Sequence, residues 1–211
     1  MIERFAREKA GVGTHREKAV ALYYAVRDGF RYDPYRLDLS PEGMRPERVL
    51  ENGYGWCVPK AALLSAACRA VGIPARLGFA NVRNHLSTPK MQEIMRTDLV
   101  AWHGYSEIFL DGQWLKATPA FNHQLCEKLG LEALEFDGTQ DSIFHAYDHG
   151  RQHMEYVELH GSFDEIPLER MLADYRIIYP HWNLQALAGD FLGDVNDLHH
   201  ALVFVEQDVA M

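Results

Sequence analysis

Gly53-Tyr54-Gly55-Trp56-Cys57-Val58-Pro59-Lys60 is the stretch on which the reading of this chain turns. Its two glycines permit a tight turn, because they carry no Cβ to restrict the backbone. Pro59 fits the first turn of a helix, where the N–H it lacks would have had no partner. Ala61, Leu64, Cys68 and Val71 then form an apolar stripe, Gly72 stands at the end and Pro74 lies beyond it. The segment is rich in Ala and Leu with few charges, so the predicted helix is buried on most sides. Cys57 falls at its N-terminus. Unpaired N–H groups and the helix dipole favour an anion there, which predicts a lowered thiol pKa and a larger nucleophilic fraction at neutral pH. The same N–H groups can serve as part of an oxyanion hole.

Upstream, Thr14-His15-Arg16-Glu17 fits a capping box, and Ala19, Leu22, Tyr23, Val26 and Phe30 repeat at helical spacing. A helix over about 15–30 is expected, ended by Asp33-Pro34. Pro46 opens a short helix through Leu50, with Gly53 past its end. Downstream, Ala75–Val82 and Val100–Leu110 read as strands, and Asp111-Gly112 turns the second into a return strand, Trp114–Ala117. A helix over about 123–135, a strand over His153–Leu159 and a helix over Leu168–Ile178, stopped by Pro180, follow. Leu184–Leu192 reads as a helix, and Ala201–Val205 as a short strand or helix. Helices first and an antiparallel sheet after them make an α+β pattern.

The chain has 211 residues, 47% apolar and 24% charged, which suffices to bury a core without disulfides or structural metals. One domain over 1–211 is expected, with its core over about 15–122 and a C-terminal elaboration over about 123–211. The formal net charge of -9 argues against nucleic acid or an anionic membrane as the main partner. No apolar run is long enough to span a bilayer. The charged first residues, Met1 to Lys9, lack the apolar region of a signal peptide, so a cytoplasmic location is expected. The three cysteines, Cys57, Cys68 and Cys126, are odd in number and form no CxxC, which argues against a disulfide framework. Cys68 and Cys126 read as buried.

His103 lies in Trp102-His103-Gly104-Tyr105-Ser106-Glu107, on a predicted strand. A histidine there can reach a helix N-terminus and take a thiol proton. Gly55-Trp56-Cys57, then Lys60-Ala61, Leu63-Leu64 and Gly72-Ile73-Pro74-Ala75-Arg76, resemble the core of the transglutaminase-like superfamily, which has a papain-like fold. Trp102 to Glu107 resembles that family's histidine strand, usually His-Ala-Trp-x-Glu. Trp114-Leu115-Lys116-Ala117-Thr118-Pro119 resembles its third-residue strand, usually ending Asp-Pro-Thr. The likeness covers about residues 15–122. It implies Cys57 as nucleophile, His103 as its base and a third group at Thr118.

One departure stands out. The family's aspartate position is Thr118 here. An aspartate holds the imidazole in the right tautomer and stabilises the imidazolium; a threonine hydroxyl accepts a hydrogen bond but supplies no charge. Thr118 itself, Asn122, or a carboxylate such as Asp137 or Asp141 are the candidates for orienting His103. The alternative is a binding protein that has lost the chemistry.

In the second half, Phe136 to Ser142, His153-Met154-Glu155-Tyr156 and His160-Gly161-Ser162 resemble a bacterial branch of transglutaminase-like proteins of unassigned substrate. That likeness implies a segment folded over the cleft. Trp56 and Tyr54 are the candidates for lining the acyl site. His145, His149 and His153 are spaced by four, but Gly150 interrupts them and no HExxH occurs, so no metal site is expected. Asp190, Asp194 and Asp197 lack the pattern of a calcium loop. The expected activity is acyl transfer from an amide or peptide-like substrate through a Cys57 thioester, to water or to an amine acceptor, with no cofactor.

Overall fold

The computed structural model describes residues 1–85, 87–144, 147–148, 151–187 and 189–197. The capping box predicted at Thr14 is present. The Thr14 hydroxyl accepts from the Glu17 N–H at 3.3 Å, and the Glu17 carboxylate accepts from the Thr14 N–H at 2.8 Å. Helix α2 runs from there over His15–Gly29, preceded by α1, Ile2–Ala10. The sequence reading passed over α1, whose charged residues mask the spacing of Ile2, Phe5, Ala6 and Ala10.

A two-residue strand, β1 (Arg31–Tyr32), pairs in parallel with β2 (Tyr54–Gly55). Between them lies α3, Glu47–Asn52, ended by Gly53 in the left-handed conformation at φ 73°. Helix α4, Cys57–Ala70, starts at the predicted cysteine and is buried nearly all round, Cys57 to Ser65 without a break. Leu63, Leu64, Ala67 and Cys68 pack with Leu22, Tyr23 and Val26 of α2 and Ala6 of α1 in one core cluster. Val58, Ala61 and Ala62 belong to a second cluster, with side chains of the sheet.

That sheet has four antiparallel strands in the order β5-β4-β3-β8: β3 (Ala75–Asn84), β4 (Leu99–Leu110), β5 (Gln113–Ala117) and β8 (Met154–Phe163). The strands predicted over 75–117 are all present, and the mixed helix-and-antiparallel-sheet class is the one expected. Helix α5, Pro89–Met95, was not foreseen; Thr88 caps it by accepting from the Met91 N–H at 3.3 Å.

The second half departs more. Helix α6 ends at Leu129 (His123–Leu129), short of the expected 135, because Gly130 adopts φ 66° and stops it. Residues 130–141 then run without regular structure, and Ser142 makes a parallel bridge to Ala117 on the open edge of β5. A two-residue pair, β6 (Tyr147–Asp148) and β7 (Arg151–Gln152), precedes β8. Helix α7 spans Leu168–Ile178 as expected. The helix expected over 184–192 is displaced: residues 185–187 are irregular, and 191–197 are helical. Ala201–Val205 lies outside the described residues. Among the described residues no helix is long and apolar enough to cross a membrane.

Candidate active site

Cys57 is the first residue of α4 and is 3% exposed; His103, on β4, is also 3% exposed. The two line one cavity. Gly104 explains how β4 comes so close. A Cβ at this position would stand 2.9 Å from the Val58 Cα, so only glycine lets the strand lie against the first turn of α4. The backbone N–H groups of Gly104, Val58 and Cys57 itself lie close enough to the Cys57 sulfur to favour its thiolate.

Burial nevertheless wins. The Cys57 pKa is pushed up to about 11, with desolvation the largest cause and the three N–H groups opposing it. This reverses the lowered value expected from the helix N-terminus alone, because the site is closed to water as well as placed on a dipole. Burial also lowers the His103 pKa to about 4. At neutral pH the pair is a thiol and a neutral imidazole.

A backbone irregularity sets the direction of His103. Ala80 pairs with His103 and Val82 with Val100, so two residues of β4 face one of β3. Trp102 sits in this bulge at φ 57°, a left-handed conformation costing of order 1–3 kcal/mol for a non-glycine residue. It is held from every side. Its N–H donates to Asn81 Oδ1 at 3.0 Å, its indole N–H donates to Asp174 at 2.8 Å, and its ring stacks on His160 at 4.2 Å. Asn81 Oδ1 is also 2.8 Å from His160 Nε2, and its amide donates to Glu158 at 2.8 Å. Strain immediately before His103, over-determined by its neighbours, marks a position where geometry matters.

The candidates for the third group separate clearly. Asp137 accepts from the Thr139 N–H and hydroxyl, both at 2.8 Å, in its own exposed turn. Asp141 accepts from the Lys116 N–H at 2.8 Å and so fixes the edge of β5. Asn122 is buried, but its side-chain oxygen accepts from the Tyr32 N–H at 3.0 Å. Thr118 is 1% exposed, just past β5, where its N–H donates to the Ser142 carbonyl at 2.9 Å. Its hydroxyl, His103 Nε2 and the Tyr156 hydroxyl are buried without a hydrogen-bond partner among the described residues. The His103 and Tyr156 rings are 6.2 Å apart, and the Thr118 hydroxyl lies near the Tyr156 phenol, outside hydrogen-bond geometry. Tyr156 entered the sequence reading only as part of His153-Met154-Glu155-Tyr156, with no role at the site.

Of the expected lining residues, Trp56 borders the cavity. Tyr54 does not: it faces the Arg31 and Arg36 guanidinium groups at 5.9 and 5.1 Å. The cavity holds about 100 Å³ and is closed on its far side by residues of the second half, among them Phe121, Tyr175, Tyr179, Trp182 and Phe191. Tyr179 ties this wall to β4, its hydroxyl accepting from the Ala101 N–H at 2.6 Å and donating to the Leu99 carbonyl at 2.9 Å. Among the described residues no group of three metal-ligating side chains comes together; His145 and His149 lie outside them. Asp194 accepts from the Tyr35 hydroxyl at 2.8 Å.

Lys60, one turn beyond Cys57, is wholly buried. Its ammonium donates to the carbonyls of Arg27, Phe30 and Ala120 at 2.8–2.9 Å, joining α2, α4 and the segment after Thr118. Burial lowers its pKa to about 7, opposed chiefly by the Asp28 carboxylate. A single lysine in an otherwise Ala/Leu-rich helix was the sequence signal for such a role, and it went unread.

Crystal structures of similar fold bear the names "Putative Cysteine Protease" from Cytophaga hutchinsonii and "Putative Protease" from Parabacteroides distasonis. The first is 18% identical with a TM-score of 0.42, covering 56% of this chain and 36% of the other. The second is 19% identical with a TM-score of 0.40, covering 55% of this chain and 22% of the other. The chain thus spans about a third or less of the length of these proteins. A search of curated protein sequences finds no match. A sequence model of the superfamily core matches residues 3–119, from α1 to just past Thr118, and so takes in Cys57, His103 and the strand that follows. By that match over more than half its length, the chain belongs to the Transglutaminase-like superfamily.

Proposed function

We propose that this protein is a cysteine-dependent acyl-transfer enzyme acting on an amide or peptide-like substrate. The observation that carries this reading is the junction of α4 and β4. There, Cys57 and His103 line one cavity, and three backbone N–H groups converge on the sulfur. His103 is the general base and Cys57 the nucleophile. Because the resting pair is neutral, the thiol proton passes to His103 as the sulfur attacks, rather than before. First-turn N–H groups of α4 receive the developing oxyanion. His103 then protonates the leaving amine, and water or an amine acceptor resolves the thioester. Water makes the enzyme an amidase or peptidase, and an amine makes it a transferase. Thr118 is the candidate third group, and its hydroxyl would have to close on the imidazole to orient His103, with Tyr156 beside it.

Alkylation with iodoacetamide, mapped by mass spectrometry, tests this. Cys57 should react ahead of Cys68 and Cys126, and His103→Ala should slow Cys57 by at least about tenfold. Equal labelling of the three thiols, unchanged in His103→Ala, would remove the reading. The second reading, a binding protein of the same fold without turnover, draws on the neutral thiol and on the absence of a carboxylate at Thr118.

A further inference from the structure

The cavity that reaches Cys57 carries information about what it accepts. Its described lining includes no Asp, Glu, Lys or Arg. Its polar members are largely committed elsewhere. The Thr88 hydroxyl lies 2.7 Å from that of Tyr35 and accepts from the Met91 N–H, and the Tyr179 hydroxyl is tied to β4. Beyond Cys57 and His103 the cavity is bordered by Asn84, Ser87 and the Tyr32 and Tyr175 rings, and otherwise by aliphatic, aromatic and thioether surface such as Met95 and Phe191. A charged group placed there would lose its hydration and meet no opposite charge among the described lining residues. The volume, about 100 Å³, also sets a scale. A cavity of about 150 Å³ holds the six carbons of benzene, so this one suits about four.

We propose that the cavity is the acyl pocket and that it selects a short, uncharged, apolar acyl group of about three to five carbons. This rests on the reading of Cys57 as an acyl-transfer nucleophile and specifies its substrate. Charged acyl groups are excluded by the lining and long chains by the volume. Residues beyond the family core, such as Tyr179 and Phe191, supply part of the wall, and core residues such as Met95 and Val100 supply the rest.

p-Nitrophenyl esters from acetate to decanoate, with p-nitrophenyl hemisuccinate as a charged control, test this on the full chain. The Cys57 sulfur bonds to the acyl carbon and its proton passes to His103. The bond to the aryl oxygen breaks, releasing p-nitrophenolate, and water then cleaves the thioester to the carboxylic acid. Release dependent on Cys57, measured against Cys57→Ala, should rise by roughly fourfold per methylene up to about butyrate or valerate. It should fall at least about tenfold by decanoate, and hemisuccinate should lie at least about a hundredfold below butyrate. Phe191→Ala should move the optimum to longer chains; if that variant does not fold, Met95→Ala serves the same purpose. A flat chain-length profile, hemisuccinate within about threefold of butyrate, or an optimum unmoved in the folded variant would overturn the acyl-pocket assignment. If Cys57 were still acylated, the nucleophile reading would stand. No Cys57-dependent release from any ester, together with no selective alkylation of Cys57, would overturn both.

Discussion

On one side of the cavity, Cys57 and His103 are held by backbone: a helix start, a glycine that lets a strand touch it, and a bulge at Trp102. On the other side, Tyr179 and Trp182 reach in from an irregular segment, between Tyr175 near the end of α7 and Phe191 at the start of the last helical stretch. Tyr179 bonds to the backbone of β4, Trp182 donates to the Gln185 carbonyl at 3.1 Å, and the Leu187 N–H donates to the Tyr35 carbonyl at 2.8 Å. The first construction fixes atoms tightly and tolerates little change. The second depends on separate side-chain contacts, so single residues can change there with less effect on the rest. Such a division suits a scaffold that keeps one chemistry and varies what it acts on.

The largest effects should come from the backbone-held side. Cys57→Ser keeps the shape but puts a far weaker nucleophile beside a neutral imidazole with no carboxylate behind it. Turnover of an activated ester should fall by at least about a thousandfold, with folding retained by circular dichroism. A serine variant within about tenfold of the parent would mean that chemistry is not centred on this position. Lys60→Met then tests whether the frame behind the nucleophile is as rigid as it looks. Methionine fills the volume but leaves three buried carbonyls without their donor. Urea denaturation should show a loss of roughly 3–5 kcal/mol, the range for breaking a buried polar cluster from one side. A neutral result would mean that desolvating the ammonium cancels its three hydrogen bonds.

The backbone-held side was also the legible one. Glycine, proline and Thr14 punctuate residues 14–117, and apolar spacing marks most of the elements between them, so the long helices and the sheet strands there, though not the short helix α5, are legible to within a few residues. Cys57 was recognisable because helix start and residue type coincide. The opposite wall was not. Nothing in the spacing of Leu184–Leu192 reveals that the helix begins later, since what fixes this segment is the bond from Leu187 to the Tyr35 carbonyl, far off in sequence. Tyr156 was equally hidden: its relation to Thr118 and His103 exists only once β8 has paired with β3. Even at Cys57 the local argument gave the wrong direction for the thiol, because a helix N-terminus is a property of neighbours in sequence and desolvation is one of neighbours in space.

His103 offers a measurement of that desolvation without any substrate. Its pKa in the folded protein is lowered to about 4 from an ordinary 6.5. The folded state therefore takes up its proton later than the unfolded chain as pH falls. The stability this group contributes is complete above pH 6.5 and is lost between about 6.5 and 4, for a total of about 3 kcal/mol. His103→Gln should flatten that part of the stability–pH curve by about this amount, read from urea midpoints at pH 7 and pH 4. In turnover, the neutral base and the neutral thiol predict a plateau whose acid limb lies near 4 and whose alkaline limb approaches 11. An acid limb near 6.5 would show that the histidine is hydrated in the working enzyme, and that the closed site opens before chemistry.

The smallest change addresses the side-chain-held wall. Tyr179→Phe keeps the ring in the cavity and removes one oxygen, which accepts from the Ala101 N–H and donates to the Leu99 carbonyl. These are the residues just before the Trp102 bulge, so this bond joins the two constructions. Leaving the N–H unpaired should cost about 1–2 kcal/mol in a urea titration. Hydrogen exchange provides the finer reading. The Ala101 amide should lose protection while that of Gly104, secured against α4, keeps it. Loss of protection at both would mean that the wall holds β4 in place as much as α4 does, and that the chemistry and the pocket cannot be varied separately.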